Sequence, residues 1–401
     1  MTLFESSGRL GGHAHPILIE NGIDPPFEVD TAFMIFNGGS YPEFLRLLAR
    51  WGLSSQAQES EMSVSIEDEA VGLRFAMSHA PWPVMASPWT FCRPRLYGIL
   101  WGLFNFLRRG REDLASGRVR GLTLAEYLSE RRYPRSFVES FVYPMGMSIW
   151  SIPMDRIMEF PAESFLRFFD NHRYFGGASP SHRWNTLRGS SEVYLRAFRK
   201  SFRGQLRLNG KINAIRRQSG SVSLLPGDSG EWMPFDHVVV ATHADQAFRL
   251  LEVPTSEEKA ALSPWMYQHT RVSLHADPSV MPRDRRLWAS WNMRFDSSHL
   301  RERARSGVTY YLNRIQGLSS SRDYFVTLHT EVRDLLLAEI DFEHPIFDAR
   351  ALEAQTRLAA LDGNNRTHFC GSYFGFGFHE DAIRSSLRIA ERLEPVPPSK
   401  D

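Results

Sequence analysis

The chain has 401 residues, 42% of them hydrophobic and 12% aromatic, which is enough for roughly two to three domains with a large core and excludes a disordered chain. Its 47 basic and 46 acidic residues leave a net charge of +1, so no global field favours nucleic acid as a partner. Cys92 and Cys370 lie far apart without a CxxC, which fits a reducing, cytoplasmic compartment and offers neither a disulfide framework nor a zinc ribbon.

The N-terminus, MTLFESSGRLGGHAHP, lacks the basic start and continuous apolar stretch of an export signal. Thr2, Leu3 and Phe4 read as a short apolar strand that ends in Glu5. A dinucleotide-binding fold uses an acid at such a place to accept hydrogen bonds from ribose hydroxyls. Gly8, Gly11 and Gly12 follow, and a backbone without Cβ atoms can approach a ligand closely. An ordinary surface turn accounts for the same pattern. His13 and His15 lack a third ligand at compatible spacing, so no metal site is expected there.

A helix is expected over 42–53. The apolar run 96–107, LYGILWGLFNFL, falls short of the about 18 residues that mark a membrane span. Arg93 and Arg95 precede it and Arg108, Arg109 and Arg111 follow. Two readings stand: a buried helix with solvated ends, or a segment that dips into a membrane surface or lines an apolar tunnel. A further helix, 123–132, opens with Thr123 and Glu126 in capping-box spacing.

From 205 to 242 the stretches QLRL, KINAIRR, SVSLL and HVVVAT read as a β-meander, separated by Gly210, Gly220 and the turn 227–230. Residues 238–241 form a continuous apolar run, as in a strand covered on both faces. The last helix is expected over 382–393, with Ile383, Leu387 and Ala390 on one face, and the polar tail 394–401 is expected to fray. Before that helix stands FCGSYFGFGFHED, in which Gly371, Gly375 and Gly377 alternate with aromatics and lead through His379, Glu380 and Asp381. Free amides and a positive dipole at such a helix start suit an anionic ligand part or a reduced flavin. Glu380 and Asp381 also read as plain first-turn residues. HExxH, EF-hand, P-loop and GxSxG motifs are absent from the sequence, so zinc protease, calcium sensor, P-loop NTPase and typical α/β-hydrolase readings have no support.

In order along nearly the whole chain, ESSGRLGGHAHP, VDTAFMIFNGGSYPEFLRLL, YPMGMSIWSIP, FPAESFLRFFDNH, DHVVVATHADQAFRLL and FCGSYFGFGFHEDAIRSSL resemble the bacterial flavin-dependent oxidoreductases of the amine oxidase superfamily. The resemblance extends more distantly to phytoene desaturases and protoporphyrinogen oxidase. It implies an α/β fold: a doubly wound, Rossmann-like FAD-binding domain over 1–60, 205–260 and 360–401, and an interleaved mixed α+β substrate domain over 61–204 and 261–359.

FAD is the cofactor this kinship implies. Glu5 would meet the adenosine ribose, Arg9 the adenosine and phosphate end, and Gly11 and Gly12 the pyrophosphate and ribityl chain. Ile212 would recognise adenine, and Asp30 would sit at a strand end near the flavin, with Ala32 where the family has glycine. Gly371, Gly375, Gly377, His379, Glu380 and Asp381 would flank the isoalloxazine and ribityl. The family begins with a strand–GxGxxG–helix unit, which would be about 25 to 30 residues long. No GxGxxG occurs in the sequence, and a gene start set too far downstream is expected, with true truncation the alternative.

The activity implied is hydride abstraction from a C–H bond to FAD. A lipid-like or polyisoprenoid substrate is expected, with peripheral contact to the inner membrane through 96–107 and an open choice of electron acceptor. Oxidation of a small amine, or a cofactor-less remnant, are the alternatives. Trp184, Trp288, Trp291, Tyr310 and Tyr311 are candidates for the cavity wall against a plain core role. His172 and His379 read as structural histidines rather than general bases.

Overall fold

The structure, a computed structural model, describes residues 1–77, 84–150, 156–172, 183–227, 230–298 and 306–393. The tail 394–401 and the centre of the turn 227–230 lie outside the described residues. Thr2–Phe4 forms a strand as expected and pairs in parallel with Gln205–Arg207. A second parallel pair joins Val238–Val240 to Thr367–Phe369. The two pairs are separate sheets, with no ladder between them among the described residues.

Between these segments runs an antiparallel three-stranded meander, Ile212–Gln218, Ser221–Pro226 and Met233–Phe235. The meander expected over 205–242 is therefore confined to its middle. Its outer strands take partners more than a hundred residues away, which local alternation cannot reveal. Val239 is 43% exposed, so the run 238–241 is not covered on both faces.

The largest sheet has eight strands in the order Leu336–Ile346, Met266–His275, Phe325–Leu328, Gly307–Tyr311, Trp291–Phe295, Val64–Asp68, Leu73–Met77 and Val84–Met85. All neighbours are antiparallel except Trp291–Phe295 with Val64–Asp68. Helices Pro94–Ala115, Tyr143–Trp150 and Ala162–Asn171 share its hydrophobic core. Phe106 meets Phe141 at 6.1 Å, Phe165 at 5.9 Å and Phe169 at 5.0 Å between ring centroids. Full burial of each such side chain contributes about 1.5–3 kcal/mol. Gly98 and Gly102 let the long helix close on the segment 134–137, because a Cβ there would overlap Ser136 and Phe137.

Helix Pro42–Arg50 ends earlier than expected, where Gly52 takes φ +72° and turns the chain. Helix Leu124–Glu130 has both hydrogen bonds of the Thr123–Glu126 capping box. The last helix, His379–Leu393, starts three residues before the expected position. It buries Glu380, Ser385 and Ile389, whereas Leu387 is 39% exposed and Ala390 is exposed too, so the expected apolar face is not the buried one. Ser385 turns inward because its hydroxyl accepts from the Gly371 amide.

Candidate cofactor site

The loops that follow Thr2–Phe4, Val238–Val240 and Thr367–Phe369 leave the carboxyl ends of the parallel strands, where doubly wound folds bind ligands. Glu5 stands one residue past the first strand. Its carboxylate accepts from the Ser7 amide at 2.8 Å, and its carbonyl accepts from the Gly210 amide at 2.8 Å. That bond brings the start of the meander, with half-buried Ile212, beside Glu5.

The Arg9 guanidinium donates to the carbonyls of Gly12 (2.6 Å), Ala14 (3.2 Å) and Leu10 (3.4 Å), so the loop wraps around its own arginine. Burial lowers the Arg9 pKa and the field of Glu5 opposes this. Gly11 has φ +113°, and a Cβ there would overlap the Ala14 carbonyl. Gly12 is exposed, and an added Cβ would have no heavy atom within 4 Å, so its side of the loop is open to a ligand.

At the far end, the side chains of the glycine-rich turn hold the turn itself. Asp381 accepts from the amides of Phe376 (2.8 Å) and Phe378 (3.0 Å), and a Cβ on Gly375 would overlap its carboxylate. Burial pushes the Asp381 carboxyl up, against those two amide bonds. Glu380 reaches away, accepting from the amides of Glu43 and Phe44 at 3.0 Å each, and so caps helix Pro42–Arg50, which has no cap side chain of its own. His379 stacks on Phe33 at 4.1 Å and meets Phe44 edge-on at 5.4 Å; burial pushes its pKa down to about 4. Gly377, at φ +89°, lies against Phe347. What this turn offers a ligand is backbone.

Asp30 ends strand Phe27–Asp30 and is buried. It accepts from the Ser191 amide at 3.0 Å, from the Ser191 hydroxyl, and from Gln316 Nε2 at 3.3 Å. Its neighbour Thr31 donates to the His15 carbonyl at 2.8 Å, which ties the end of this strand to the 9–15 loop.

His13 also meets a group that the sequence alone did not single out, His243, His269, Glu343 and His344. His13 Nε2 lies 3.1 Å from the Glu343 carbonyl, and its ring stacks on Phe342 at 5.0 Å and lies 5.2 Å from His344 and 6.0 Å from His243. The Glu343 carboxylate stands 3.3 Å from both His243 and His269. Burial pushes His13 to about 4 and His344 to about 3, so both are neutral near pH 7. Among the described residues no three acidic, histidine or cysteine side chains converge to hold a metal ion. His243 could have been found from its place just past VVVAT, a strand end. Glu343 and His344 gain their place only through the pairing of Leu336–Ile346 with Met266–His275.

Of the aromatic candidates, Trp184 stacks on His172 at 5.3 Å, and His172 meets Phe378 of the glycine turn at 5.8 Å. Trp288 and Tyr311 instead pack with Met281 and Phe325 as a satellite core, and Tyr310 donates to the Ser148 carbonyl. Trp291 packs edge-on against Tyr310 at 5.5 Å.

This architecture is the fold of FAD-binding amine oxidases. The chain superposes on the CLA-producing fatty acid isomerase from P. acnes (TM-score 0.65, 12% identity, 98% of this chain and 92% of that one). Cyclohexylamine oxidase from Brevibacterium oxydans IH-35A gives 0.65, 13%, 98% and 93%, and putrescine oxidase bound to putrescine gives 0.65, 12%, 97% and 92%. The family model of flavin containing amine oxidoreductases matches residues 1–314, and the chain belongs to that family. It is an FAD-dependent oxidoreductase acting on a small molecule. No curated protein matches its sequence.

The residues present fit FAD. An acid and the open glycine loop lie at one end and a backbone-lined turn at the other. His15 Nδ1 and Asp245 Oδ1 are buried without a hydrogen-bond partner, a polar lining that a ligand would satisfy.

Proposed function

We propose that the chain dehydrogenates a lipid-like or polyisoprenoid substrate. The supporting observation is the apolar character of the interior between the long helix and the glycine turn. Rings follow one another from Phe106 to Phe169 (5.0 Å), Phe168 (5.4 Å) and Phe378 (5.7 Å). A small apolar cavity of about 20 Å³, lined by Ile66, Phe75, Met77, Leu96, Leu100 and Phe141 among others, lies under that helix. Peripheral contact with a membrane through 96–107 is compatible with this reading and separable from it.

When bound, FAD would supply two-electron redox chemistry at a substrate C–H bond, with an acceptor to take the electrons onward. The chain's own residues bind, orient and keep water out. Glu5 would accept from the ribose hydroxyls and Ile212 would border the adenine. Arg9 fixes the loop so that Gly11 and Gly12 present backbone to the pyrophosphate and ribityl. Gly371, Gly375 and Gly377 would bring backbone against the ring system, and the start of helix His379–Leu393 would favour negative charge there. His379, Glu380 and Asp381 hold that helix start in place, and Asp30, through its neighbour Thr31, would anchor the 9–15 loop. This division makes 1–60, 205–260 and 360–401 the cofactor unit and 61–204 with 261–359 the substrate unit, with strand Trp184–Leu187 and helix Glu192–Ser201 packed on the cofactor side.

Anaerobic titration of the FAD-loaded chain tests the proposal. Bleaching of the flavin spectrum by polyisoprenoid or unsaturated acyl lipids, and not by primary amines, is expected. Bleaching by amines alone would overturn it in favour of amine oxidation.

A further inference from the structure

Helix Pro94–Ala115 buries one face through Leu96, Ile99 and Phe106 and leaves the opposite face bare. On the bare face Tyr97, Trp101, Phe104, Arg108 and Arg111 follow at three- and four-residue steps, one continuous stripe at 3.6 residues per turn. The turn before the helix, Pro88–Cys92, adds Trp89 and Phe91. The Tyr97 hydroxyl donates to the Phe91 carbonyl at 2.9 Å, which fixes turn and helix as one surface. Trp89 is 76% exposed and Phe104 64%, and Leu100 at the edge of the stripe is exposed as well. Contiguous apolar surface of this kind marks an interaction site.

Charge selects the occupant. Residues 93–135 contain ten arginines and no lysine against Glu112, Asp113, Glu126 and Glu130, a net +6 in a chain whose total is +1. Asp113 takes Arg118 and Arg131, Glu139 takes Arg95 and Arg135, and Arg111 lies 3.3 Å from Asp170. Arg108, Arg109, Arg120 and Arg132 have no carboxylate partner among the described residues. A second copy of the chain would bring the same positive charge to this face. An aromatic stripe that runs into arginines matches a bilayer with anionic headgroups.

We propose that this face docks the enzyme on an anionic lipid bilayer. Trp89, Trp101 and Phe104 enter the boundary between headgroups and acyl chains, Arg108 meets a lipid phosphate, and Arg111 exchanges Asp170 for another. Leu100 belongs both to this surface and to the wall of the apolar cavity below it. The docked face therefore stands over the apolar interior, a link that rests on the lipid-substrate reading, whereas docking itself does not.

Sedimentation of the full chain with vesicles tests this, using phosphatidylcholine alone and phosphatidylcholine with one-third phosphatidylglycerol. Wild type is expected to bind the mixed vesicles at least about tenfold more tightly than the neutral ones. Trp101→Glu with Phe104→Glu should abolish binding, and Arg108→Gln with Arg111→Gln should weaken it about fivefold per charge. Unchanged thermal melts of these surface variants show that they fold. Failure of wild type to sediment, equal binding by the aromatic variant, or a wild-type dimer that the aromatic variant returns to monomer would each overturn docking. A chain that docks yet has no flavin bleached by lipid refutes the substrate reading alone; one bleached by detergent-dispersed lipid without docking refutes the docking alone.

Discussion

Glu5 and Asp30 both stand at the end of a short strand, and their surroundings set them to different work. The Glu5 carboxylate is half-buried, and beyond two neighbouring serines it is open to a ligand. Replacing it by alanine is expected to weaken FAD binding about tenfold or more, the size of a hydrogen bond to a charged group, without a change in melting temperature. Flavin fluorescence titration reads this, and an unchanged affinity would remove Glu5 from the site. Asp30 is enclosed, and burial pushes its carboxyl from 3.8 to about 6 against the Ser191 bonds that pull it down. A folded value above the unfolded one means that its stabilising contribution is full below about pH 4 and lost as pH rises through about 6. Wild type should therefore lose roughly 1–3 kcal/mol relative to Asp30→Asn between those values, measured by urea unfolding across pH. Parallel curves for the two proteins would contradict it. Gly11 answers to backbone geometry alone: Gly11→Ala forces a side chain into the left-handed region against the Ala14 carbonyl and should cost about 1–3 kcal/mol in the same assay.

Helix Pro42–Arg50 begins without a cap from its own neighbourhood and receives one from Glu380, on the last helix of the chain. Glu380→Ala should cost about 1–2 kcal/mol in thermal or urea melts, with part recovered by Glu380→Gln, which keeps one acceptor oxygen. Equal stability of alanine variant and wild type would show the cap to be incidental. This contact illustrates where the sequence was legible and where it was not. Local signals were read well: the Thr123–Glu126 capping box, the strand at Thr2–Phe4, and the glycine-rich turn before the last helix all occur as expected. Contacts that depend on chain return were not. The strand partners of Gln205–Arg207 and Val238–Val240, the exposed side of Leu387, and the meeting of His13 with Glu343 all follow from elements distant in sequence, and no spacing within one segment encodes them. The reach of Glu380 to residue 43 is of the same kind, since a first-turn acid looks alike whether it serves its own helix or another.

The molecule as a whole combines a continuous eight-stranded sheet with several small sheets, among them the two separate parallel ribbons of two strands each. Two strands alone hold only marginally, and their edges present unpaired backbone groups. A ligand that binds only the folded form adds stability by mass action, about 2.7 kcal/mol at a hundred times its dissociation constant. FAD should thus raise the melting temperature of the chain, read by scanning calorimetry with and without the dinucleotide, and no shift at saturating FAD would count against the site. The amide protons of the ribbons carry a further consequence. Residues 2–4 and 367–369 should exchange with deuterium far sooner than 270–274, because each ribbon opens by local unfolding without disturbing the large sheet. Glu5 lies on one ribbon and the turn 371–379 on the other, so a dinucleotide that touches both would make two independent opening events into one.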